Sequence, residues 1–144
     1  MEALTVRTFY QCPQSKLVLG HLRLSLFDLS DCGRQPMMFQ DRYVISFNGE
    51  IYNFHELKNE LTQSGVCFHA QTDTEVILAA FAKWNTQSFN KLSGMFAFAL
   101  YDILEKNLFL VKDASGIKPL YYSSSSGSVV FASEMRAFSI IENK

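Results

Sequence analysis

Asn48 and Gly49 follow the apolar run 43–47 directly, and Glu50 comes next. A side-chain amide donor beside a glycine N–H that no Cβ shields is a pair of groups suited to stabilising an oxyanion. Arg23 stands in an otherwise apolar run, and its planar guanidinium suits a bidentate grip on a carboxylate. Asp73 opens a helical pattern, where a carboxylate either favours the helix dipole or faces a ligand ammonium. Cleaving the side-chain amide of an amino acid needs a nucleophile, oxyanion donors, and groups holding the α-amino and α-carboxylate ends. Arg23, Asn48, Gly49, Glu50 and Asp73 are candidates for all of these parts except the nucleophile. Each also has a plainer reading. Asn-Gly alone is first of all a type I′ hairpin turn, Arg23 alone a solvent-facing strand residue, and Asp73 alone a helix-dipole carboxylate.

The elements that must position these residues are marked by hydrophobic period. Apolar runs bounded by turn residues predict strands at 16–19, 22–27, 42–47, 95–101, 108–112, 120–123 and 129–132. Phe54, Leu57 and Leu61 recur at helical spacing, with Asn53 as cap and Gly65 as stop. Thr72 and Glu75 have capping-box form ahead of Val76, Ile77, Leu78, Ala80 and Phe81, which predicts a second helix running to about Trp84. Short helical turns are expected at 87–92 and 134–141. The serine run 123–126 with Gly127 reads as a hairpin loop. Strands in runs on either side of central helices point to an α+β layered domain.

At 144 residues with 48% hydrophobic content, the chain is expected to form a single domain over 1–144. A net charge of −1 with scattered Lys and Arg offers no footprint for nucleic acid or an anionic membrane. No apolar run approaches the roughly 20 residues of a membrane span, and the start lacks signal-peptide form, so a cytoplasmic location is expected. Cys12, Cys32 and Cys67 are odd in number and lack paired spacing, and His21, His55 and His69 form no ligand pattern, so neither disulfides nor a metal site is expected.

Across 19–28 (LGHLRLSLFD), Gln35-Pro36-Met37, 43–53 (YVISFNGEIYN), 73–80 (DTEVILAA), 92–102 (LSGMFAFALYD), 116–122 (GIKPLYY) and 131–137 (FASEMRA), the chain resembles the amidotransferase domain of glutamine-hydrolysing asparagine synthetase. That family is a class II glutamine amidotransferase of the N-terminal nucleophile fold. The resemblance implies a four-layer αββα sandwich, here without its first segment. It further implies that Arg23 binds the glutamine carboxylate, that Glu50 and Asp73 face its α-amino group, and that Asn48 and Gly49 form the oxyanion hole. Glutamine is the implied ligand, and a synthetase domain or subunit the implied partner. A homo-oligomer is compatible with it. No cofactor belongs to this half, since ATP and Mg would belong to the synthetase half.

The resemblance fails at the nucleophile. In the family a cysteine follows the initiator methionine and its own amine acts as base, whereas position 2 here is Glu2. A carboxylate does not replace a thiolate in forming a thioester. Cys12 is a poor substitute, because Pro13 follows it and only a short stretch separates it from Arg23. Lys112 stands where the family usually has Arg. The expectation is a glutamine-site domain inactive on its own, in the service of asparagine biosynthesis. The other reading is a catalytically dead relative serving as a glutamine-binding or protein-interaction module.

Overall fold

A computed structural model describes the backbone of residues 4–25 and 33–142 and the side chains of residues 8–22 and 33–139. Two nine-residue strands, β4 (Tyr43–Ile51) and β5 (Gly94–Asp102), form its centre. They pair antiparallel from Tyr43 opposite Asp102 to Ile51 opposite Gly94. β3 (Met37–Phe39) and β6 (Asn107–Lys112) flank them, giving the order β3-β4-β5-β6.

Strand alternation then sorts the side chains into two faces. On one, Tyr43, Ile45, Phe47, Ile51, Phe96, Phe98 and Leu100 pack with Leu57 and Leu61 of α1 (Phe54–Gln63) and Val76, Ile77, Ala80 and Phe81 of α2 (Asp73–Trp84). On the other, Val44 and Ala99 meet Leu19 and Tyr10 from the hairpin of β1 (Leu4–Gln11) and β2 (Val18–Ser25). Phe131 of β8 (Ser128–Ala132), which pairs with β7 (Tyr121–Ser125), reaches the same cluster. The order of layers is therefore helices, four-stranded sheet, then two hairpins, with α3 (Arg136–Glu142) following β8. No helix among the described residues is long and apolar enough to cross a membrane.

The helical signals hold, with local revisions. Thr72 caps α2 by accepting the Glu75 N–H at 3.4 Å. The Glu75 carboxylate does not complete the box. It is buried and accepts the N–H groups of His69 at 2.9 Å and Ala70 at 2.7 Å, binding the preceding loop to the helix. Asn53 precedes α1 without a side-chain cap. Its amide instead accepts the Ser93 N–H and donates to the Lys91 carbonyl, both at 2.9 Å, joining the end of β4 to the start of β5. The 87–92 turn is a 3-10 segment, Asn85–Lys91.

The strand boundaries need more correction. The runs 16–19 and 22–27 merge into one strand, β2, which starts only at Val18 and continues through Gly20 and His21; Lys16 and Leu17 belong to the preceding loop, and residues 26 and 27 lie outside the described residues. β1 and β3 carry no sequence prediction. β4 extends four residues beyond the expected end at 47, so Asn48 and Gly49 lie inside a strand rather than in a turn. The serine loop is the expected hairpin, with positive φ at Ser126 (51°) and Gly127 (77°) as a two-residue primed turn requires.

Candidate active site

β3 pairs only with Tyr43, Val44 and Ile45, so among the described residues no strand lies beside the outer edge of β4 beyond Ile45. Two side chains take the strand's place. Gln35 Oε1 accepts the Phe47 N–H at 2.6 Å, and Asp73 Oδ2 accepts the Ile51 N–H at 3.3 Å. Gly49 lies between them. Its cross-strand partner Phe96 turns both backbone groups away from β4, since its carbonyl accepts the Asp113 N–H at 2.8 Å and its N–H donates to Asp113 Oδ2 at 3.1 Å. Gly49 and Phe96 are thus a non-hydrogen-bonded pair, and the phase of the ladder points the Gly49 N–H outward with those of Phe47 and Ile51. No loop or side-chain hydrogen bond among the described residues uses it.

The glycine is required by this crossing. Gly49 has φ +149°, and a Cβ there would lie 2.2 Å from the Met95 carbonyl oxygen and 2.6 Å from Phe96 Cα. This close approach, rather than a hairpin turn, is what selects Gly after Asn48.

The open edge borders a cleft of about 940 Å³ between β4, β2 and the start of α2. Asn48, Gly49 and Asp73 line it with Gln35 and Thr74, together with the small side chains of Ala97 and Ala99 of β5. His21 and Gly20 of β2 form the opposing side. His21 Nδ1 lies 3.3 Å from Ser46 Oγ, which donates to the Gly20 carbonyl at 3.4 Å, so the two sheets are linked beside Asn48.

Burial pushes the Asp73 carboxyl above the ordinary aspartate range. Hydrogen bonds from the N–H groups of Ile51, Thr74 and Asp73 itself act against that shift, and the charge of Glu50 reinforces it. A half-buried carboxylate in that state gains from a cationic neighbour. Glu50 is exposed and does not line the cleft; it enters through its field on Asp73. Arg23 lies on β2 opposite Val6, and its side chain is outside the described residues. The structure therefore brings together Asn48, Gly49 and Asp73, with Glu50 beside them.

Gln35, Thr74, His21 and Ser46 were not singled out as site residues by sequence reasoning. For Gln35 the one signal was its place in the matching Gln-Pro-Met block; for His21 it was a position two residues before Arg23 on one face of a strand. No cysteine lines the cleft among the described residues. Cys12 is buried in the β1–β2 loop with Sγ 3.4 Å from Gln14 Oε1, Cys67 is exposed elsewhere, and Cys32, like Glu2, lies outside the described residues. The far wall includes Pro119 and Leu120, at the end of a loop held by Asp113, whose carboxylate accepts the Ile117 N–H at 3.3 Å and the Lys118 N–H at 3.4 Å.

Residues 8–143 match the family model of a glutamine amidotransferase domain. The chain belongs to that family. Asparagine synthetase [glutamine-hydrolyzing] 1 of Bacillus subtilis (strain 168) is 42% identical over 125 residues, covering 86% of this chain and 20% of that protein. Asparagine synthetase [glutamine-hydrolyzing] 2 of Oryza sativa subsp. japonica is 41% identical over 123 residues, covering 84% and 20%. This amidotransferase domain thus spans about a fifth of the length of the curated relatives it matches. The solved glutamine phosphoribosylpyrophosphate amidotransferase from B. subtilis, complexed with ADP and GMP, superposes with a TM-score of 0.73 at 24% identity, over 88% of this chain and 30% of that one. That likeness establishes the fold as an α+β sandwich shared with that amidotransferase. The chain is a glutamine amidotransferase domain of the kind found in asparagine-synthetase-like proteins.

Proposed function

We propose that the cleft binds glutamine, with the side-chain amide oxygen facing the Asn48 side chain and the Gly49 N–H. Asp73, assisted by Glu50, takes the α-ammonium, and Arg23 takes the α-carboxylate. The observation that carries this reading is the outward Gly49 N–H, which no loop or side-chain hydrogen bond among the described residues uses, beside Asn48. A donor fixed by its strand needs no reorganisation when negative charge develops on the oxygen, which is how an oxyanion hole lowers a barrier. In the reaction this arrangement serves, a thiolate attacks the amide carbon, ammonia leaves with a proton, and water cleaves the resulting thioester.

The same reading has the 144-residue chain hold glutamine without hydrolysing it, since Cys12 and Cys67 lie outside the cleft lining and a carboxylate such as Glu2 does not replace a thiolate. Ammonia release, and its delivery to a synthetase domain or subunit for asparagine formation, requires a cysteine brought to the Asn48–Gly49 end. Calorimetric titration of the folded chain with glutamine tests the binding, with an ammonia-release assay alongside. Saturable binding without ammonia release is the expected result. A folded sample giving no binding heat overturns the glutamine site, and ammonia release overturns the inactivity.

A further inference from the structure

We propose that Gln35 is a positioning residue for the Gly49 N–H, acting as a one-residue substitute for the edge strand that, among the described residues, β4 lacks beyond Ile45. The proposal rests on the glutamine-site reading for its functional consequence, but its geometry stands on its own. A β-strand edge without a neighbour leaves its N–H groups to water, and the peptide planes along it are then free to tilt. The edge from Phe47 to Ile51 is held at its two ends by side chains, Gln35 on Phe47 and Asp73 on Ile51. At the centre is a glycine with φ +149°, a backbone with little torsional resistance of its own. The ladder with β5 sets which way the Gly49 N–H points, and the fastening of Phe47 and Ile51 limits how far the edge can tilt about that direction.

Gln35 is itself fixed. A backbone N–H can only donate, so the atom 2.6 Å from Phe47 N is the amide oxygen, and this leaves Nε2 facing Thr74 Oγ1 at 3.5 Å. The Thr8 hydroxyl donates to the Gln35 backbone carbonyl. Gln35 thereby joins β1, the edge of β4 and the first turn of α2, three elements that wall the cleft. A residue filling space would need none of these polar contacts.

The test uses the full 144-residue chain labelled with ¹⁵N. In the wild type, the Phe47 amide should exchange slowly and the Gly49 amide rapidly, and added glutamine should move the Gly49 signal. Gln35→Met keeps the side-chain length and removes the acceptor. It should free the Phe47 amide to exchange, shift the Gly49 signal without ligand, and weaken glutamine binding by about threefold to tenfold, the loss of one oriented hydrogen bond. Gln35→Glu keeps an acceptor at the same reach and should leave Phe47 protected. An unmoved Gly49 signal in Gln35→Met, with Phe47 freed, overturns the proposal and leaves Gln35 a fastening only. A Gly49 amide as protected as Phe47 in the wild type overturns it without any variant. If the folded wild type binds no glutamine, the site reading fails, and the unliganded Gly49 shift in Gln35→Met still decides the role of Gln35.

Discussion

Gly49 and Phe96 face each other across β4 and β5 without sharing a hydrogen bond, and the strands pass so closely there that a methyl group on Gly49 would lie 2.2 Å from the Met95 carbonyl oxygen. The same pairing sends the Phe96 backbone groups to Asp113 and the Gly49 N–H to the cleft edge. One crossing thus sets the sheet's central packing and the direction of the candidate oxyanion donor.

Gly49→Ala should therefore be costly. The atoms in the way are backbone, which cannot rotate aside, so the strands must separate, at a cost of about 3 kcal/mol. Urea unfolding followed by Trp84 fluorescence reads this as a lower midpoint. Gly20→Ala is the contrast. It meets nothing within 4 Å and lies in a regular strand, so its stability should stay level or rise by up to about 1 kcal/mol as the unfolded chain loses freedom.

Asp73→Asn should stabilise the protein at neutral pH while weakening glutamine binding. A carboxyl whose folded pKa is raised contributes stability that is full below its unfolded value and is lost as pH rises through the folded one. At pH 7 the wild type has lost that contribution, whereas Asn, which never ionises, still accepts the Ile51 N–H. The variant's advantage in Tm should shrink as pH falls through the raised folded value and be gone below the unfolded one, about 3.9. Melting curves across pH, with parallel glutamine titrations, check both halves. An advantage that grows toward acid would contradict the burial argument.

These two sites show what the sequence could and could not reveal. Asn48, Gly49 and Asp73 were legible because their chemistry is carried by residue type within ordered blocks. The turn reading of Asn-Gly failed because the need for glycine arises from Met95 and Phe96, far along the chain, and no local pattern records that contact. Gln35 was not singled out for the same reason, since its partners Thr8, Phe47 and Thr74 come from three separate elements. α2 was legible because a helix states its period and its Thr72 cap within a dozen residues. β1, with polar residues at half its positions, becomes a strand only through its register with β2.

Arg42 should matter most under acid. Burial would raise the Asp102 carboxyl, but the Arg42 guanidinium, with Nη2 at 2.7 Å and Nε at 3.1 Å, outweighs that with help from the N–H groups of Leu104 and Glu105. The net shift is downward. Stability from Asp102 is therefore present above its unfolded pKa and is lost as pH falls through the folded value. Arg42→Met leaves a buried carboxylate without its cation and should lower stability at pH 7, by an amount that solvent screening of the partly exposed Arg42 keeps modest. The gap between variant and wild type should close in acid. Arg42→Lys should recover part of the loss, since one ammonium cannot copy a two-point grip.

Asp113→Asn should loosen the cleft's far wall. Burial would raise this carboxyl, yet the backbone N–H groups of Ile117, Phe96, Lys118 and Gly116 hold it below the ordinary range, with no charged partner needed. Both oxygens are occupied, Oδ1 by Ile117 and Oδ2 by Phe96 and Lys118. An asparagine has one oxygen and one NH₂, so in either orientation an N–H donor faces another donor. The loop should then detach from β5 and take Pro119 and Leu120 with it. Amide exchange should quicken at Phe96, Ile117 and Lys118 while α2 stays protected. Because the wild-type stability from Asp113 is also lost as pH falls through its depressed folded pKa, the two proteins should converge in acid. A loop that remains protected in Asp113→Asn at neutral pH would mean that the Asp113 backbone bonds to Phe96 and Gly116 suffice without the carboxylate.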